Sequence, residues 1–160
     1  MIAGPTIVQA LKELGVTHVV WIPDSELGTW EHALLAEPSL QLIRVTREGE
    51  AIGVAAGLML GGKRPVVIIQ STGLFEAGDA LRNVVHDLKL PLFLIVGLRS
   101  ELSFQQRATT DTAPVFAEPM LQTWKLPYRF LETSAPAESL VAAYRSTAAI
   151  GQAGAVCVPE

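Results

Sequence analysis

The chemistry in this sequence begins with a glutamate set among glycines. Glu48 heads the stretch Val45-Thr-Arg-Glu-Gly-Glu-Ala-Ile-Gly-Val-Ala-Ala-Gly-Leu58, where a short strand gives way to a helix built almost wholly from small residues. A carboxylate at that point is stabilised by the helix N-terminus and sits where α/β folds gather their chemistry. Gly49, Gly53, Gly57 and Gly61 recur at a spacing of four, which keeps them on one slowly drifting helix face. An interior glycine costs ~1 kcal/mol relative to alanine, so a run of them is expensive. Close approach of a backbone or a ligand, where a Cβ would collide, is the usual compensation. The near absence of charge after Glu50 predicts that this helix is buried on most sides. Tight packing within one domain explains the glycines but leaves the glutamate without a reason.

The elements around this stretch alternate. Residues 5–14 read as an opening helix, with Pro5 in the first turn and Gly15 as its stop. His18 to Ile22 reads as a strand, and Asp24 or Ser25 as the N-cap of a helix over 26–36. Leu40 to Val45 is a second strand, followed by the glycine helix. Pro65 to Gln70 and Pro91 to Gly97 are continuous apolar runs, as expected of central parallel strands covered on both faces. Ser71-Thr72-Gly73 reads as a turn before a helix over 77–88, and Arg99 to Thr112 as a long loop. Helices over 114–123 and 136–150 and strands over 127–131 and 155–158 complete the pattern. Such alternation predicts an α/β fold: a doubly wound, mainly parallel sheet with helices on both faces. Ligands of such sheets bind at the carboxyl ends of the strands. Pro23-Asp24-Ser25, Thr46-Arg47-Glu48, Ser71-Thr72-Gly73 and the run from Arg99 all fall on that edge.

Length and composition set the remaining bounds. The 160 residues are one domain by size. With 49% hydrophobic and 18% charged residues, the chain is rich in core and poor in solvated surface, so a partner is expected to cover part of it. A net charge of −4 argues against nucleic acid and anionic membranes. The single Cys157 lies in an apolar run and reads as a buried, inert thiol. With no secretory pattern at the start and no bilayer-length apolar run, a cytoplasmic location is expected. There is no G-x-G-x-x-G, phosphate loop or G-x-S-x-G elbow. His18, His32 and His86 lack metal-ligand spacing, so no metal site is expected on this chain.

Laid out in this order, the sequence resembles the pyrimidine-binding domain of thiamine-diphosphate-dependent 2-oxoacid decarboxylases, in particular their phosphonopyruvate and sulfopyruvate branch. The residues that carry the resemblance are Ile22-Pro-Asp-Ser25, Arg47-Glu-Gly-Glu-Ala-Ile-Gly-Val-Ala-Ala-Gly57, Gln70-Ser-Thr-Gly-Leu74 and Lys89-Leu-Pro-Leu-Phe-Leu-Ile95. They keep the family's order and spacing over nearly the whole chain, and the glutamate followed by A-x-x-x-A-A-G is the most specific. The resemblance implies that Glu48 is catalytic, holding the pyrimidine ring nitrogen and promoting the tautomer that activates the thiazolium. It places Pro23, Asp24, Gly73 and Leu74 beside the cofactor. Ser25, Ser71 and Thr72 on the same edge are candidates for the substrate, and Arg99 and Arg107 are either cations for its anionic group or solvated loop residues.

The same resemblance implies partners. Family members hold Mg²⁺ and the diphosphate through a G-D-G motif followed by asparagine, in a second domain; Gly78-Asp79-Ala80 is not that motif. A separate diphosphate-binding β subunit is therefore expected, with a second copy of this chain packed along the glycine helix, and a small anionic 2-oxoacid as substrate. The sequence departs from its relatives at Phe75, where they tend to have glycine, and at Ser71-Thr72, where asparagine is frequent. The paired histidines of the pyruvate decarboxylase branch are missing from the 99–112 loop. Three readings stay open: a decarboxylase α subunit, a carboligating subunit of the same cofactor class, and a non-catalytic binding or scaffold module. An unrelated nucleotide-binding domain would suit the architecture but none of the motifs.

Overall fold

A computed structural model describes residues 2–160. Its frame is a six-stranded sheet: β1 (His18–Trp21), β2 (Gln41–Arg44), β3 (Pro65–Gln70), β4 (Phe93–Leu98), β5 (Tyr128–Phe130) and β6 (Gly154–Pro159). The strand order is β2-β1-β3-β4-β6-β5 and every pairing is parallel. β3, β4 and β6 are buried along almost their whole length, which is why they read as unbroken apolar runs rather than alternating ones.

The helices divide between the two faces. On one, α1 (Gly4–Glu13), α2 (Glu31–Ala36) and α8 (Pro136–Ala148) enclose a core that includes Ile7, Leu11, Trp21, Trp30, Ile68 and Leu140. On the other, α3 (Glu48–Leu60), α4 (Ser71–Glu76), α5 (Gly78–Arg82) and, after the short α6 (Glu101–Gln105), α7 (Ala113–Thr123) cover Ile52, Val67, Leu74, Leu94 and Cys157. The chain winds outward from β1 to β2, then crosses back through α3 to β3 on the other side of β1. The order therefore reverses between β1 and β3, and a crevice opens outside their carboxyl ends.

Four local features differ from the sequence reading, each for a visible reason. The helix over 26–36 opens as a 3-10 turn (Leu27–Trp30) before α2, because Asp24 Oδ1 accepts both Glu26 N–H (2.8 Å) and Leu27 N–H (2.7 Å) and tightens the entry. Ser71-Thr72-Gly73 is the first turn of α4, not a loop. The helix expected over 77–88 is α5 continued by a π turn (Asn83–Asp87), with Gly78 pressed on Trp124 so closely that a Cβ would lie 3.0 Å from its ring. The 99–112 loop contains α6, entered through Ser100 in the left-handed region.

The glycine helix is the largest correction. Ala51, Ile52, Ala55 and Ala56 are buried, but Gly53 and Gly57 are exposed, and a Cβ on either would meet nothing within 4 Å. One face of α3 is bare within the chain. None of the helices is long and apolar enough to cross a membrane among the described residues.

Candidate active site

The crevice is built from loops that leave four parallel strands in the same direction. β2 ends at Arg44, and Val45 and Thr46 lead into α3, whose first residue is Glu48. Glu50 reaches back one turn, its Oε2 accepting Thr46 N–H (3.0 Å) and Thr46 Oγ1–H (3.2 Å). That arrangement is a capping box shifted by one residue. The N-cap residue Arg47 offers no side-chain acceptor, so the first-turn N–H groups need partners from elsewhere.

The partners come from α4. Glu76 Oε2 accepts Gly49 N–H (2.8 Å), while its Oε1 accepts Arg47 Nη2–H (2.6 Å) and Nε–H (3.0 Å). The Gly49 N–H, then the Arg47 guanidinium, hold the Glu76 carboxyl below the usual carboxylate range. One turn before Glu76 on the same helix face lies Gly73. A Cβ there would run into Cγ, Cδ and Oε1 of Glu48. The Glu48 side chain thus lies across α4 where a glycine leaves room for it, half-buried at the mouth of its own helix.

The other side of the crevice is acidic as well. Glu160 ends the described chain next to β4, and its carboxylate sits over Gly97, where a Cβ would strike Oε1. Gln70 Nε2–H donates to Glu160 Oε2 (3.3 Å), and Thr72 Oγ1–H donates to Gln70 Oε1 (3.1 Å). Burial, reinforced by the negative charge of Asp24, pushes the Glu160 carboxyl up to about 7. Asp24 Oδ2, Ser71 Oγ and Glu160 Oε1 are buried without a hydrogen-bond partner among the described residues. A cavity of about 600 Å³ opens from Glu160 across the opposite sheet face, lined by Leu27, Trp30, Leu102 and Pro136. Glu48 and Gly73 do not line it.

The residues singled out in the sequence fall into three groups. Glu48 and Gly73 touch, and Asp24, Thr72 and Arg99 gather around the Gln70–Glu160 side. Pro23 and Ser25 are exposed in the loop after β1. Leu74 and Ser71 are fully buried, Leu74 in the core beneath α4, so Leu74 acts through packing rather than by facing the crevice. Arg99 is tied to Asp111 (Nε–H to Oδ2, 2.8 Å), which also takes Ser100 Oγ–H and Ala113 N–H. Arg107 is exposed in the left-handed region at φ 56°. His18 is satisfied by Thr17 (2.8 Å), and burial pushes Cys157 up to about 12, as expected of a rim histidine and an inert thiol.

Comparison with known proteins gives this edge its context. Residues 1–116 match the family described as "Thiamine pyrophosphate enzyme, N-terminal TPP binding domain". The chain belongs to that family. The sulfopyruvate decarboxylase subunit alpha of Methanococcus maripaludis is 30% identical over 141 residues, which is 88% of this chain and 84% of the relative. The phosphonopyruvate decarboxylase of Streptomyces viridochromogenes is 35% identical over 99 residues, 62% of this chain but only 25% of the relative. Among solved structures, benzoylformate decarboxylase from Polynucleobacter necessarius superposes with a TM-score of 0.77 at 20% identity, over 99% of this chain and 30% of that one. The thiamine pyrophosphate enzyme fold is thereby shown, and the chain spans under a third of that neighbour.

Within this family one internal contact bears on where a cofactor would be met. The acid that would meet the pyrimidine, Glu48, is the side chain for which Gly73 leaves a cradle that any Cβ would fill. Sequence reasoning missed Glu76 and Glu160. Glu76 lies one helical turn after Gly73, a relation hidden while 71–73 was read as a turn. Glu160 was legible as the polar residue directly after the last apolar strand, on the carboxyl edge.

Proposed function

We propose that this chain is the α subunit of a thiamine-diphosphate-dependent decarboxylase acting on a small anionic 2-oxoacid, with sulfopyruvate and phosphonopyruvate the first candidates. The observation that carries the reading is the Glu48 carboxylate lying in the hole at Gly73, at the switch point of a parallel sheet. The subunit alpha relative matches along 84% of its own length, which supports a division of the enzyme between chains. The diphosphate and its Mg²⁺ would then be held by a β subunit, and the bare Gly53–Gly57 face of α3 would meet a second copy of this chain.

Each residue at the edge has a job in that reading. When bound, thiamine diphosphate supplies the electron sink for loss of CO₂. Glu48 holds a proton at the pyrimidine ring nitrogen, the position from which a carboxylate adjusts that ring's basicity. Pro23 and Asp24 border the ring from the loop after β1, and Gly73 gives Glu48 its room. Thr72 and Ser25 line the approach of the substrate, while Ser71, fully buried at the start of α4, supports that turn from beneath. The exposed Arg107, and Arg99 on exchanging Asp111 for the substrate, are the cations that would meet the substrate's terminal anion.

The test is Glu48→Gln in the complex with a G-D-G-bearing partner. The variant should fold and assemble like the parent but lose turnover of sulfopyruvate or phosphonopyruvate. Undiminished turnover would remove Glu48 from the mechanism. A chain that assembles and binds thiamine diphosphate yet turns over no 2-oxoacid would point to the binding-module reading. Product formed only when an acceptor aldehyde is added would point to carboligation.

A further inference from the structure

Glu48 is the middle of three consecutive residues that α4 fixes from outside. Arg47 is held by its guanidinium to Glu76 Oε1 (2.6 and 3.0 Å), Gly49 by its N–H to Glu76 Oε2 (2.8 Å), and Glu48 by contact with Gly73. Both oxygens of one carboxylate therefore bracket the residue between them. The hole and the hook are three residues apart on one helix, which puts them on one face.

The alternatives for fixing this turn are weak. Arg47 makes no side-chain cap, and Glu50 grips only Thr46, upstream of the turn. Gly49, next to the acid, has the widest backbone freedom of any residue. The helix already holds the carbonyl side of this turn, Arg47 C=O accepting Ala51 N–H (3.1 Å). Glu76 adds the N–H side, and without it the end turn frays and carries the Glu48 Cα–Cβ direction with it. Placing a catalytic carboxylate demands tolerances of about half an ångström, set by residues whose own positions are locked.

We propose that Glu76 is the positioning residue for Glu48: its carboxylate clamps Arg47 and Gly49 so that the acid between them meets the pyrimidine ring in one orientation. The inference rests on the role of Glu48 proposed above. Glu76 touches neither cofactor nor substrate in this account. It acts through the backbone of α3.

The experiment uses the assembled enzyme with Glu76→Ala, Glu76→Gln and, as reference, Glu48→Gln. Steady-state kinetics are read beside thiamine diphosphate affinity by calorimetry and thermal stability. Misplacement of a catalytic group by ~1 Å costs on the order of 100-fold, so Glu76→Ala should lose one to two orders of magnitude in kcat at unchanged KM for the 2-oxoacid, and bind the cofactor more weakly. Glu76→Gln keeps an acceptor for Gly49 N–H and should fall between Ala and the parent on both measures. A merely structural cap would lower the melting temperature and leave kcat per assembled site and cofactor affinity alone; that result overturns the inference. Should the alanine variant not fold, the glutamine variant decides, and parental kcat and affinity in it overturn the inference equally. Full turnover in Glu48→Gln would overturn the reading beneath it, an outcome distinct from a silent Glu76 beside an inactive Glu48→Gln.

Discussion

Glycine serves two opposite purposes in this chain, at the carboxyl edge of the sheet and along the outer face of α3. At the edge, Gly73 and Gly97 each stand where a Cβ would strike a glutamate, Glu48 in one case and Glu160 in the other. The space a side chain would have taken is filled by an acid from another element. Along α3, Gly53 and Gly57 have nothing within 4 Å of a Cβ. The first pair is used up within the fold. The second is left open, and its cost of ~1 kcal/mol each relative to alanine is met by nothing in the chain itself. The difference separates space that the chain fills from within from space that it leaves bare.

The strongest way to break the comparison is Gly73→Ala. The added methyl meets Cγ, Cδ and Oε1 of Glu48, a flexible side chain at the crevice mouth that can swing aside. Stability should therefore change by less than ~1 kcal/mol, whereas displacing the acid by ~1 Å should cost on the order of 100-fold in turnover. Kinetics of the assembled enzyme beside a denaturant titration separates the two. A variant that keeps its activity would mean that Glu48 works from some other rotamer, and that the hole at Gly73 is incidental.

Glu76, which holds the first turn of α3, and Glu160, which fills the space at Gly97, differ in protonation, and pH sharpens that difference. Glu76 and its donors favour the anion, while burial and Asp24 favour the neutral form of Glu160, up to about 7 from an ordinary 4.5. Between those pH values the folded chain binds the Glu160 proton more tightly than the unfolded chain. Stability contributed by this group is therefore present at low pH and is lost as pH rises through 7. Asp24 and Glu26 raise its proton affinity from the loop after β1, while Arg99 and Gln70 oppose them. Glu160→Gln removes the titration: it should match the parent near pH 4 and be more stable at pH 8, by on the order of 1–2 kcal/mol once solvent screening is allowed for. Unfolding midpoints at the two pH values check it, and parallel curves would show that the carboxylate is solvated at this edge.

How much of this was legible in the sequence follows from where each signal resides. The sheet was readable because strands covered on both faces must be apolar throughout, as Val66 to Ile69 and Leu92 to Val96 are. Glu48 and Gly73 were readable because a glutamate before a small-residue helix and a glycine after a strand are local patterns. That they touch was not, since the contact joins residues 25 positions apart across a crossover. Glu76 was hidden by the start of α4: periodicity sees a helix only after several turns, and α4 is six residues long. The burial of the glycine helix was overestimated because low charge marks both a buried face and a face awaiting a partner.

The smallest expected effect is again a gain in stability and bears on that ambiguity. Gly53→Ala places a methyl where the structure has open space, inside a helix that runs from Glu48 to Leu60. Helix propensity alone should then stabilise the isolated chain by ~0.5–1 kcal/mol, read from its denaturant midpoint. If a second copy of the chain packs its backbone against this face, the same methyl should weaken association, visible as a shift toward smaller species in sedimentation at low concentration. A gain in stability with unchanged assembly would show that the open glycines are not kept for close approach. A loss in both would show that the face is already covered in the isolated chain. Only the combination of a firmer subunit and a looser assembly fits glycines retained for a neighbour's backbone, because it requires the space to be empty in one state and occupied in the other.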